Sequence, residues 1–223
     1  MVAILPRRYA RSRTFAPKRA SGTSGQPSKA IRMVLAKHRG NRAASRLHRA
    51  PLSFIRIHRR PGRRSQGWLR AGPLLVPVSL GRGGIRANKR EGDGGTPCGR
   101  FRPLRLWWRA DRLPRPASPL PARRIGPCDA WCEDPADRRY NRHVRRAANE
   151  PGDRLQRSDR LYDMIVEIDH NTRPRVAGRG SAVFIHVARD GFAPTAGCVG
   201  LRPRDLRILL SKLSRRTRIL IHS

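Results

Sequence analysis

A histidine and a cysteine lie twelve residues apart in the segment FIHVARDGFAPTAGCVG, residues 184–200. Cysteine attacks a carbonyl carbon as its thiolate, and a neighbouring base such as histidine generates that thiolate at neutral pH. His186 ends the apolar run AVFIH, and the loop after it is long enough to bring Cys198 back beside it. Cys198 and His186 are therefore a candidate nucleophile and general base.

The turn that precedes the cysteine adds two candidate residues. Gly197 allows a tight backbone conformation in which peptide N–H groups point at a developing oxyanion, and Thr195 belongs to the same turn. Spacing alone leaves an alternative open. A core histidine and a buried inert thiol would give the same pattern, because free cysteine is among the most buried residue types.

Strand-like segments surround this pair. LYDMIVEID, SAVFIHVA and TRILIHS each predict a strand, and leucines at helical spacing predict a short helix over residues 203–213. Near residue 52, LSFIRIH and GPLLVPVSLG predict a hairpin joined by a turn at RRPGRRSQG. These elements predict a mainly β domain of short antiparallel strands with one or two short helices.

Changes in residue composition along the chain predict its domain organisation. Residues 1–50 are basic and poor in apolar periodicity, which predicts a disordered N-terminal segment before a catalytic domain at 51–223. Residues 102–160 are rich in Pro and Arg and are interpreted as an insertion of loops and short strands. The glycine-rich segment 81–101 lacks the Gly-Lys-Ser/Thr ending of a phosphate-binding loop.

The charge is strongly basic, with 50 Lys and Arg against 15 Asp and Glu and a formal net charge of +35. Such a charge is typical of proteins that bind polyanions. The arginines are spread through loops, strands and the N-terminal segment and form no single stripe with aromatic residues, so no specific nucleic-acid partner is expected. A basic nucleic-acid-binding protein with an incidental His and Cys stays the alternative.

Four cysteines and the N-terminus limit other functions. Cys128 and Cys132 lack the second ligand pair of a structural zinc site, so no metal is expected, and a disulfide among Cys98, Cys128 and Cys132 is left open. No apolar stretch has the length of a transmembrane helix, and no signal peptide is visible, because MVAIL is followed, not preceded, by basic residues.

Two motifs carry a resemblance to a known family. His186 followed by Thr195-Ala196-Gly197-Cys198 resembles the L,D-transpeptidase catalytic domain (YkuD-like), whose signature is a strand-ending His followed by Ser/Thr-His-Gly-Cys. TPCGRF at 96–101 is similar to the family's Thr-Pro-x-Gly-x-Phe segment. The likeness runs from about Leu52 to His222 and is that of a branch with TAGC in place of SHGC. Ala196 replaces the second histidine, and Gly200 stands where many members have Asn or Arg.

The resemblance implies a β-sandwich-like fold and a cysteine-dependent L,D-transpeptidase that needs no cofactor. Its partners would be peptidoglycan tetrapeptide stems, and Cys198 would form an acyl-enzyme thioester with His186 as base and N–H groups around Gly197 as oxyanion donors. The thioester would yield a 3→3 cross-link or, with water, a carboxypeptidase reaction. The family implies the periplasm or cell envelope. A degenerate member that binds peptidoglycan without turnover is a further alternative, and His170 is a candidate replacement for the missing histidine.

Overall fold

The computed structural model describes residues 52–147, 150 and 152–223, so the N-terminal segment predicted to be disordered lies outside the described residues. In the described part, the strands are β1 (Phe54–Arg60), β2 (Arg63–Ala71), β3 (Leu74–Ser79), β4 (Ile85–Arg86), β5 (Thr96–Pro97), β6 (Gly99–Phe101), β7 (Pro103–Trp108), β8 (Ala122–Arg124), β9 (Asp129–Cys132), β10 (Arg142–Arg145), β11 (Asp153–Arg154), β12 (Met164–Ile168), β13 (Phe184–Val187), β14 (Val199–Leu201) and β15 (Arg218–His222).

One large mixed sheet dominates the architecture. Ten strands follow the order β6-β15-β1-β2-β3-β14-β13-β12-β7-β8. Among residues 52–223 that the structure describes, the helical structure consists of α1 (Pro203–Leu210) and a 3-10 turn at Asp190–Phe192. The prediction of a mainly β domain with one or two short helices is therefore confirmed.

The predicted hairpin at the start of the domain is wrong. The segment interpreted as its turn contains most of β2, a nine-residue strand that pairs antiparallel with both β1 and β3. A meander of three strands results. The arginines and polar residues of RRSQGWLRA hide the strand pattern, although Leu69 and Ala71 are fully buried.

The expectation of antiparallel strands throughout is also wrong. β1 pairs parallel with β15, β13 with β14, and β7 with β8. Parallel neighbours need a crossover connection, and the 3-10 turn supplies part of it between β13 and β14. This crossover returns the chain to the same end of the sheet, which is what brings Cys198 close to β13.

Segment 102–160 contributes to two sheets. Its first strand, β7, lies inside the large sheet between β12 and β8. Its later part forms a separate sheet in the order β10-β9-β11. Buried aromatic residues anchor this smaller sheet: the indole N–H of Trp131 donates to Oδ1 of Asn141 (3.0 Å), and the Trp131 ring meets Phe184 of β13 edge-on.

The main core lies between one face of the large sheet and α1. Ile55 and Ile57 of β1 are fully buried in one cluster with Leu206, Leu209 and Leu210 of the helix. Pro203 occupies the first turn of α1, where its missing N–H costs no hydrogen bond. The helix therefore covers the inward-facing side chains of the strands that lie next to the site.

We expect Ile57→Ala to lower the free energy of unfolding by about 2–5 kcal/mol, because it removes a fully buried side chain and leaves a cavity. Urea denaturation followed by circular dichroism measures this change. Arg56→Ala on the opposite face of β1 is the control and should change stability by no more than about 0.5 kcal/mol. Equal losses in both variants would contradict the placement of the core.

Candidate active site

Cys198 lies immediately before β14 and is buried, with its thiol held by the backbone of the segment that leads into β13. The Sγ atom donates to the carbonyl oxygen of Ala182 (3.1 Å) and accepts from the N–H of Phe184 (3.3 Å). Burial, together with the charges of Asp153 and Glu133, raises the pKa of Cys198 to about 12, against the lowering effect of the Phe184 N–H and of Lys89. The resting cysteine is a neutral thiol.

His186 lies on β13, opposite Gly200 in the parallel ladder and two residues beyond the level of Cys198. Its Nδ1 donates to the carbonyl oxygen of Val187 (2.8 Å), which assigns the proton to Nδ1 and leaves the lone pair on Nε2. Burial lowers the pKa of His186 to about 4. The imidazole is therefore neutral, and its Nε2 can accept a proton.

A single cavity of about 300 Å³ is lined by the four predicted site residues Cys198, His186, Thr195 and Gly197. Ala196 lines it as well. The structure thus brings together all four residues predicted for the site. It does not join the two principal ones directly, because the thiol proton is directed to Ala182 and not to His186.

Thr195 organises the turn that presents the cysteine. Its hydroxyl donates to the carbonyl oxygen of Cys198 (2.7 Å) and accepts from the N–H of Gly197 (3.1 Å). Gly197 has φ +148°, and a Cβ there would lie 2.8 Å from the carbonyl oxygen of Gly95. Only glycine fits this position without displacing the neighbouring loop.

The second motif, TPCGRF, supports the first through backbone contacts. The Thr96 hydroxyl is fully buried and accepts from the N–H of Gly81 (2.8 Å). Gly81 in turn forms a β-bridge with Thr195, and the N–H of Thr195 donates to the carbonyl oxygen of Leu80 (2.9 Å). The two motifs are far apart in sequence, yet one path of hydrogen bonds connects them.

The departure at Gly200 has a packing reason. Gly200 pairs with Ser79 of β3, and a Cβ at Gly200 would lie 2.2 Å from the Ser79 Oγ atom and 3.0 Å from the Cα of Ala188. The approach of β3 to β14 therefore excludes a side chain such as Asn or Arg at this position.

The departure at Ala196 leaves the place of the second motif histidine without a polar side chain. Ala196 is exposed at the wall of the cavity. His170, the candidate replacement, does not line the cavity. Its Nε2 is 3.1 Å from the carbonyl oxygen of Arg179, and its ring meets Phe101 edge-on.

Lys89 is a cation of the cavity wall that sequence reasoning missed. Its side chain is only 6% exposed, and its Nζ donates to Oδ1 of Asp93 and to the carbonyl oxygen of Arg90, each at 2.6 Å. These bonds use two of the three ammonium protons. A Cβ atom added to Gly197 would lie 3.7 Å from the Lys89 Cε atom. The ammonium charge of Lys89 is therefore close to the turn that carries Cys198.

Aromatic and acidic side chains, also missed from the sequence, line the same cavity. The Tyr162 ring meets His186 edge-on at 5.4 Å, and its hydroxyl donates to Oδ2 of Asp153 (2.9 Å). Desolvation raises the pKa of Asp153, and desolvation with the charges of Asp153 and Glu91 raises the pKa of Glu133 to about 7. The small sheet supplies Asp153, and the residue after β9 is Glu133, so segment 102–160 closes one side of the cavity.

The described residues also bear on a metal site, a disulfide and a membrane-spanning helix. They hold no group of three or more His, Cys, Asp or Glu side chains arranged to bind a metal ion. The structure has all four cysteines as free thiols. Within the same residues, no helix is both long and apolar enough to cross a membrane.

Comparison with known proteins gives one match. A family model described as an L,D-transpeptidase catalytic domain matches residues 68–221, which include both motifs and every residue of the cavity wall. No curated protein and no solved structure matches the chain.

We expect the rate of Cys198 alkylation by iodoacetamide to rise about tenfold for each unit of pH, without levelling off below about pH 10. The reason is the burial that raises the pKa of this thiol to about 12, so that the reactive thiolate is scarce at neutral pH. Peptide mass spectrometry after short pulses measures the rate, with the half-buried Cys98 as the internal comparison. A plateau near neutral pH would show instead that a thiolate–imidazolium pair already exists at rest.

Proposed function

Because the chain belongs to the family of L,D-transpeptidase catalytic domains, we propose that it is a cysteine-dependent L,D-transpeptidase acting on peptidoglycan stem peptides. The observation that carries the proposal is the cavity in which a buried thiol and a neutral imidazole with a free Nε2 lone pair share one wall. This is the minimum equipment for acyl transfer through a thioester.

In the proposed reaction, substrate binding turns the Cys198 side chain away from Ala182. Nε2 of His186 takes the thiol proton as Sγ forms a bond to the carbonyl carbon that links the diamino acid to the terminal D-Ala. The C–N bond then breaks, the D-Ala amine leaves with the proton from His186, and a thioester remains. Attack by the amine of a second stem releases the thiol and gives a 3→3 cross-link, whereas attack by water gives a carboxypeptidase reaction.

Both groups start neutral in this scheme. With a Cys198 pKa of about 12 and a His186 pKa of about 4, proton transfer accompanies the attack and does not precede it. Burial disfavours both ions of a separated pair, so the site forms charge only when a carbonyl group is present to share it.

We assign the oxyanion to the backbone N–H of Cys198, with Gly197 and Thr195 as positioning residues. The N–H of Gly197 already donates to the Thr195 hydroxyl, and that hydroxyl donates to the Cys198 carbonyl group. Thr195 therefore holds the peptide units 196–197 and 198–199, and the peptide between them, which carries the Cys198 N–H, lies between two fixed units. The Lys89 ammonium group, which keeps one proton free for a ligand, places positive charge near the same turn. Ala196, in the position of the second motif histidine, contributes no charge there.

The cavity wall also supports a substrate that carries charges of both signs. Arg82, Lys89 and Arg189 line it together with the carboxyl groups of Glu91 and Glu133. A tetrapeptide stem with carboxylates and a free side-chain amine has this mixture. The proposed substrate lies outside the cytoplasm, and we accordingly propose the periplasm or cell envelope as the location of the protein.

The first test is the mass of the intact protein after incubation with a carbapenem, a β-lactam class that acylates the cysteine of this family. We expect one adduct on the wild type, none on Cys198→Ala, and an unchanged adduct on Cys98→Ala, the matched cysteine control. His186→Gln should slow adduct formation by about 10²–10⁴-fold, because it removes the base. A correctly folded wild type that forms no adduct would favour a member that binds peptidoglycan without turnover.

A second test concerns Lys89. We expect Lys89→Met to slow carbapenem acylation by about tenfold and to shift the pH profile of Cys198 alkylation upward, because a nearby positive charge favours the thiolate. Lys89→Arg should restore part of the rate. The double variant Lys89→Met/Asp93→Asn removes both charges, so that the half-buried Asp93 carboxylate is not left without its ion-pair partner. Unchanged profiles in both Met variants would limit Lys89 to a structural role.

A further inference from the structure

The outer face of the large sheet carries a row of basic and apolar side chains that crosses five strands. Register places Arg100 of β6 beside Leu220 of β15, then Arg56 of β1, Arg70 of β2 and Leu75 of β3. Directly paired residues point to the same side of a sheet, so these side chains form one surface. We call the outward-facing residues of β1, β2, β3, β6 and β15 the arginine face.

Two further rows extend this face. Arg218 of β15 pairs with Phe54 of β1, and His222 pairs with His58, which in turn pairs with Trp68 of β2. Side chains alternate between the two faces along each strand, so the neighbouring residues point into the core, where Ile55 and Ile57 are fully buried. Folding thus assembles the stripe of basic and aromatic residues that the linear sequence does not reveal.

The described residues provide no counter-ion for the arginines of this face. None of the five strands contains Asp or Glu, and no salt bridge within the described residues involves Arg56, Arg70, Arg100 or Arg218. The residues outside the described part contain no acidic side chain. The first acidic residue of the chain is Glu91, and residues 148, 149 and 151 are Ala, Asn and Pro. Arg56 directly opposite Arg70 is a repulsive pair. An external anion would relieve that repulsion.

Apolar side chains on the same face distinguish between anionic partners. Three large hydrophobic residues are exposed in the described part of the chain, and Phe54 (46%) and Leu75 (56%) both lie on the arginine face. The Arg56 guanidinium lies over one face of the Phe54 ring at 4.5 Å, and the Arg60 guanidinium lies over one face of the Trp68 ring at 5.9 Å, so a cation already occupies one stacking surface of each ring. Arginines beside exposed apolar groups suit a lipid headgroup region.

We propose that the arginine face docks on the surface of an anionic phospholipid bilayer. Arginines would bind the phosphates while Phe54 and Leu75 enter the boundary between headgroups and acyl chains. Five strands spaced about 4.8 Å apart give a broad surface, which matches a plane better than a single extended polymer. The site residues lie on β13 and before β14, outside the five strands of this face.

The test is co-sedimentation of the full chain with phosphatidylcholine vesicles and with vesicles that also contain phosphatidylglycerol, at low and at high salt. We expect binding to the anionic vesicles only, and weakening by salt. Arg56→Glu/Arg70→Glu should weaken binding at least about tenfold, since each basic residue near the surface contributes about 1 kcal/mol. Arg204→Glu/Arg207→Glu on α1, whose buried side packs on the opposite face of the sheet, makes the same charge change and should lower affinity less than about threefold.

A second pair of variants separates a bilayer from a soluble polyanion. Phe54→Ser/Leu75→Ser should weaken vesicle binding and leave binding to a single-stranded oligonucleotide unchanged. Equal losses in the two charge-reversal variants would overturn the proposal, since binding would then follow net charge alone. Preference for the oligonucleotide, lost only in Arg56→Glu/Arg70→Glu, would overturn it in favour of a polymer. Cys198→Ala should bind like the wild type, so the outcome does not depend on the proposed enzymatic activity.

Discussion

The three buried residues of β14 hold the candidate site together. This short strand lies between β13 and β3, and its position decides where the preceding cysteine stands relative to His186. The contact with β3 is so close that Gly200 has no room for a side chain beside Ser79. On the other side of the nucleophile, the Thr195 hydroxyl ties the turn to the Cys198 backbone, so the cysteine is constrained from both directions.

The electrostatics of the site follow from the same burial. Burial of the thiol and the imidazole favours the neutral form of each, and the ionisable side chains of Lys89, Asp153 and Glu133 line the same cavity. An ion pair at rest would have to be desolvated at considerable cost. In the proposed reaction, this arrangement would protect the Cys198 thiol from adventitious reaction until a substrate carbonyl enters the cavity.

The sequence predicted the parts of the fold whose apolar pattern is local. β12, β13, β15 and α1 were predicted from continuous or periodic apolar residues, and the match of a family model to residues 68–221 agrees with the resemblance drawn from two motifs. β2 was missed because exposed arginines dominate its pattern. Lys89, Tyr162 and Asp153 were missed because only the tertiary structure brings them to the cavity: Lys89 comes from the glycine-rich loop, Asp153 from the small sheet and Tyr162 from the turn before β12. The arginine face was missed for a related reason, since strand register creates it.

The pairing of β15 with both β1 and β6 has a consequence for how the domain is made. The first and last strands of the described domain are neighbours, so most of the chain must be present before the sheet can close around Ile55 and Ile219. Contacts of such long sequence separation carry a large loop-closure entropy and form slowly. During synthesis, β1 therefore emerges from the ribosome long before β15. Its apolar side chains stay without this partner strand until about 160 further residues have been translated.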